Sequence, residues 1–144
     1  MAGFEFFETM AGGFRLEGAP ERPMSFTIRA RSKPLLSFAR RREVEIEGEI
    51  DAEGFADHRH LRGTLGLDPL FTKKLPYSFS FKANDGADYS FVGQKTFGKG
   101  RLIEAATVLP GRIVDATGRT VAEALLRFDL RGDLASFLKS WRLV

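Results

Sequence analysis

Aromatic and polar residues alternate along Tyr77-Ser78-Phe79-Ser80-Phe81-Lys82. An extended chain turns successive side chains to opposite faces, so every ring here falls on one side of a sheet and every polar group on the other. A helix would scatter the same rings around its axis. The period of two returns where Met24, Phe26, Ile28 and Ala30 interleave with Ser25, Thr27, Arg29 and Arg31. It returns again where Val44, Ile46, Gly48 and Ile50 alternate with Glu43, Glu45, Glu47 and Glu49, the pattern of a half-solvated strand. The chain therefore reads as strands with phenylalanine-rich inner faces.

Turn signals divide these strands. Gly18 to Pro23, Asp51 to Gly54, Asn84-Asp85-Gly86, Gly98-Lys99-Gly100 and Ala116 to Arg119 carry the residues that tolerate tight reversals. Breaks are also expected at Ala11-Gly12-Gly13 and Pro110-Gly111, while Pro34 to Ala39 fits a helical turn or an irregular crossover. The period changes at the end, where Leu130, Leu134, Phe137, Leu138 and Trp141 follow helical spacing. A helix over about Asp133 to Trp141 is expected there, capped by Asp129 or Asp133. About nine or ten sequential strands favour a barrel over a sandwich, because closure removes exposed edges. The expected fold is one all-β domain over residues 1–144. It is an antiparallel, calycin/lipocalin-like β-barrel of about eight to ten strands with one C-terminal helix. Phe26, Ile28, Val44, Ile46, Ile50, Leu65, Phe79, Phe81, Phe91 and Leu125 are its expected core.

Composition narrows the function classes. With no cysteine there is no disulfide framework, thiolate nucleophile or cysteine-bound metal. No apolar run approaches the ~20 residues of a membrane-spanning helix. Met1-Ala2-Gly3-Phe4-Glu5 lacks the basic and apolar regions of a secretory signal, so a cytoplasmic location is expected. Lys and Arg total 22 against 19 Asp and Glu, and the basic run Arg40-Arg41-Arg42 leads directly into the glutamates of the next strand. Neighbouring opposite charges on a strand make a solvated, ion-paired face, and no nucleic-acid motif accompanies them.

Four constellations bear on chemistry. His58 and His60, the two histidines of the chain, share one face of a strand. Zinc needs further ligands that only scattered carboxylates supply, so no metal is assigned and the segment reads as a polar strand beside a turn. Glu104 and Glu123 interrupt apolar strands and would point inward or to solvent; no catalytic residue is assigned. Gly98-Lys99-Gly100 is too short for a phosphate loop, and no G-x-S-x-G elbow occurs. Lys95 shares a face with Tyr89, Phe91 and Phe97, which places it at a rim or against an anionic group inside.

Three stretches carry a family resemblance. Phe6-Phe7-Glu8-Thr9-Met10-Ala11-Gly12 fits an F-x-E-x-M-x-G opening. Leu75-Pro76-Tyr77-Ser78-Phe79-Ser80-Phe81, Asp85-Gly86 and Tyr89-Ser90-Phe91-Val92-Gly93-Gln94-Lys95 fit M/L-x-Y-x-F-x-F, D/N-G and Y-x-L/F-x-G-x-K. Glu104-Ala105-Ala106-Thr107-Val108-Leu109 is similar to a D-T-T-T-L-Y segment that keeps only Thr107. In order, these resemble the β-rich accessory region of bacterial sterol-oxidase-like flavoproteins of the glucose–methanol–choline class. The flavin-binding G-x-G-x-x-G is absent, so the resemblance implies a stand-alone accessory domain beside lipid or sterol chemistry, with a flavoprotein oxidase as partner and no cofactor of its own.

The functional expectation is a barrel that binds a small apolar ligand: a lipid, fatty acid or sterol. Tyr77, Phe79, Phe81, Tyr89, Phe91 and Phe97 would line or floor its cavity, and Lys95 would anchor the ligand's polar end at the rim. The alternatives are a small barrel enzyme using inward Glu104, Lys95 or His60, and a filled barrel that acts through its surface.

Overall fold

The computed structural model describes residues 3–32, 43–66, 74–96, 108–128 and 142–143. They form nine strands: β1 (Phe4–Leu16), β2 (Arg22–Arg31), β3 (Glu43–Ala52), β4 (Ala56–Gly66), β5 (Lys74–Lys82), β6 (Asp88–Thr96), β7 (Val108–Asp115), β8 (Thr120–Arg127) and the short β9 (Arg142–Leu143). Strands β1 to β8 follow one another antiparallel around the sheet, and β1 pairs with both β2 and β8. The result is a closed eight-stranded barrel, with β9 paired to Phe4 and Glu5 at the start of β1. No helix occurs among the described residues, and the helix expected over Asp133 to Trp141 lies outside them.

The strand alternation fills the inside. Met24, Phe26, Ile28 and Ala30 of β2, Val44, Ile46 and Ile50 of β3, and Tyr77, Phe79 and Phe81 of β5 are all buried. Rings form the middle layer. Phe79 stacks on Phe91 at a centroid distance of 5.0 Å, and Phe26 meets Phe79 edge-on at 5.2 Å and Phe91 at 5.9 Å. Such aromatic pairs add about 0.5–1.5 kcal/mol each beyond the area they bury. Nine of the ten residues expected in the core are buried; Leu125 is the exception, 43% exposed. In β8 both faces carry apolar residues, and Ala122, Ala124 and Leu126 take the inward parity, which turns Leu125 to the outside.

The expected break at Ala11-Gly12-Gly13 is absent: β1 runs unbroken through it. The glycines serve proximity instead. A Cβ on Gly12 would overlap the Leu125 carbonyl oxygen, so glycine lets β8 come close enough to complete the ring. The break at Pro110-Gly111 is also absent, and β7 continues through both. Pro110 points outward, where its fixed φ suits extended backbone, and Gly111 leaves room for Phe91, whose ring a Cβ there would strike.

The β1–β2, β3–β4, β5–β6 and β7–β8 hairpins all turn at one end of the barrel. Each contains a glycine at positive φ: Gly18, Gly54, Gly86 and Gly118. Rings plug that end. Phe55 packs on Tyr89 at 4.9 Å, Phe14 at 6.1 Å and Phe81 at 6.4 Å. Asn84 ties two hairpins together by accepting from the Asp57 amide at 2.9 Å and donating to the Asp57 carboxylate at 2.8 Å.

Candidate functional site

Above the aromatic layer, away from the hairpin end, three polar side chains meet inside the barrel. Glu8 comes from β1, Tyr77 from β5 and Lys95 from β6. Tyr77 pairs with Gly93 and Leu75 with Lys95, so Tyr77 and Lys95 are diagonal neighbours on one face. In the ring of eight, β1 lies four strands from β5 in either direction, so Glu8 reaches them across the interior. The Tyr77 hydroxyl donates to Glu8 Oε1 at 2.5 Å, and Lys95 Nζ donates to Glu8 Oε2 at 2.9 Å. Glu8, Tyr77 and Lys95 are 7%, 1% and 3% exposed.

The electrostatics follow from burial. The Tyr77 hydroxyl is held well above the usual tyrosine range, first by desolvation, then by the Glu8 charge and the hydrogen bond to it. It keeps its proton and acts only as a donor to Glu8. Lys95 Nζ lies 5.3 Å from the centre of the Tyr77 ring and 5.9 Å from that of Phe128, close enough for cation–π attraction. Below, Tyr77 touches Phe26 at 5.9 Å, which joins the polar cluster to the aromatic layer.

Lys95 therefore does not sit at a rim; it is inside, and the anionic group it meets belongs to the protein. Phe79 and Phe91 stack on each other in the aromatic layer beneath the cluster, while Phe81 and the half-buried Tyr89 belong to the hairpin-end plug, stacked at 6.2 Å. Phe97 and Glu104 lie outside the described residues. Glu123 is exposed on β8, so it takes no inward role. Glu8, which sequence reasoning used only within a motif, is the residue it missed. The signal was parity: Glu8 falls between Phe6 and Met10 on the inward face of β1.

The histidines lie on the outer surface, each against different carboxylates. His60 Nε2 contacts Glu47 at 2.9 Å; His58 Nδ1 contacts Glu49 at 2.9 Å and Asp51 at 3.2 Å. The β3–β4 register shifts between Ile50 and Ala52, and His58 has a φ of 51°. Glu49, Asp51 and His58 bring ligand atoms within 4.8 Å of one another without His60. The Glu49 hydrogen bond, then the Asp51 charge, raise the His58 pKa above its ordinary 6.5. The open cleft over β4 to β7 is lined by Arg59, Arg62, Lys82 and Asp88 among others, and Lys82 pairs with Asp88 at 2.8 Å, as a solvated face would.

No family model, curated protein or solved structure matches the chain, and so none links it to sterol-oxidase-like flavoproteins. No helix among the described residues is long and apolar enough to cross a membrane.

Proposed function

We propose that the barrel binds a small, largely apolar molecule of lipid, fatty-acid or sterol type, with its polar end against Glu8, Tyr77 and Lys95. The observation that carries this reading is the buried cluster. Removing a carboxylate and an ammonium from water costs several kcal/mol per ion, and apolar side chains of similar volume would fill the space without that cost. Small-molecule sites combine mostly apolar walls with a few convergent polar groups, and the Phe26, Phe79 and Phe91 floor beneath the cluster has that composition. Eight-stranded closure also suits a calycin-like container for one ligand. An accessory role beside a flavoprotein oxidase belongs to the same proposal and rests on the sequence motifs alone.

Native mass spectrometry and titration with a fluorescent fatty acid and a fluorescent sterol test it. One bound molecule per chain, with a Kd near or below about 1 μM (roughly −8 kcal/mol), is the expected result. No bound mass and no saturable titration with either probe would overturn the reading in favour of a filled barrel that acts through its surface.

A further inference from the structure

We infer that the cluster selects a neutral ligand that accepts a hydrogen bond, such as an alcohol, ketone or ester, and discriminates against a carboxylate. The inference rests on the ligand-binding reading above and narrows its chemistry. Its ground is charge balance. Lys95 is the one buried cation among the described residues, and the Glu8 carboxylate already lies 2.9 Å from it. Tyr77 retains its proton and directs it to the other Glu8 oxygen. The cluster thus contains one cation, one anion and one neutral donor.

What it offers a ligand is donor capacity without net charge. An ammonium has three N–H donors; Glu8 takes one, and the rings of Tyr77 and Phe128 flank the same Nζ. A neutral oxygen can accept from a remaining N–H and adds no second charge beside Glu8. A carboxylate would bring a second anion beside Glu8, where water is excluded and no second buried cation is present among the described residues. The two ligands would meet the same walls, so the difference between them is read by charge alone.

The test is competition by hexadecanol and hexadecanoate against the neutral dye N-phenyl-1-naphthylamine at mildly alkaline pH. Wild type should bind hexadecanol tighter by about tenfold or more, the scale of a modest electrostatic penalty. Glu8→Gln keeps the side-chain shape and removes the anion, which leaves Lys95 for a ligand carboxylate; the preference should then invert. Hexadecanoate binding wild type as tightly as hexadecanol, or an unchanged ratio in a folded Glu8→Gln protein, would overturn the inference. If Glu8→Gln does not fold, the wild-type ratio decides. If neither ligand displaces the dye and the dye itself does not saturate, the ligand-binding reading falls, and this inference with it.

Discussion

Lys95 shows how much one side chain depends on a partner far away in sequence. Its counter-charge, Glu8, lies 87 residues earlier in the sequence, on a strand three places away around the ring. Lys95→Met should therefore destabilise the protein by about 3–5 kcal/mol in urea unfolding, because it leaves Glu8 buried without a counter-charge. The double variant Glu8→Leu/Lys95→Met should recover most of that loss, since both charges leave together. A single variant as stable as wild type would show that the pair is solvated in solution. Residue by residue, the inner face was largely legible. Parity alone placed Phe26, Phe79 and Phe91 inside, because rings alternated with serine, threonine or other small and polar groups. It failed at Leu125, where leucine and alanine compete for the same face and size misleads: the small Ala124 is inside. It also missed the Glu8–Tyr77–Lys95 meeting, since no local pattern reports a contact made across a barrel.

The strands reward attention to glycine and proline as packing devices. Both breaks expected from these residues, within β1 and β7, proved to be continuous strand. Local turn propensity lost to the ladders on either side, which hold each segment extended from both edges. In β7 the glycine is a recess for a ring from β6, so size there is limited by contact. Gly111→Ala should drive the Phe91 ring from its place in the middle layer and destabilise the fold by about 1–3 kcal/mol, the usual cost of overpacking. Chemical denaturation measures it, and a change near zero would mean that the ring has free space to move into. The hairpins were the most legible elements, because Asn84-Asp85-Gly86 and Ala116-Thr117-Gly118-Arg119 carry their turn chemistry openly. Asp115 reinforces the second, accepting from the Thr117 and Arg119 amides at 2.9 and 3.0 Å.

At the scale of the molecule, the all-β character and the barrel followed from the number of alternating segments, and the structure closes the ring with eight strands. The register of closure was not legible, because it depends on Gly12 meeting the Leu125 backbone and not on any hydrophobic period. That closure also has a consequence for how the chain folds. Within each hairpin the paired strands are adjacent in sequence, whereas the β1–β8 pairing joins Ala11 to Arg127. Ordering so long an intervening chain carries a loop-closure entropy that the hairpins avoid, so the β1–β8 seam should form after the rate-limiting step. Leu126→Ala, at a fully buried seam position, should remove about 2–5 kcal/mol of stability and act chiefly by accelerating unfolding. A chevron in which the refolding arm carries most of the change would place the seam in the transition state instead. Until the seam closes, β1 and β8 present unpaired backbone to each other and equally to a second chain. Refolding yield should therefore fall as protein concentration rises, with the losses set by how fast one barrel closes before two chains exchange strands.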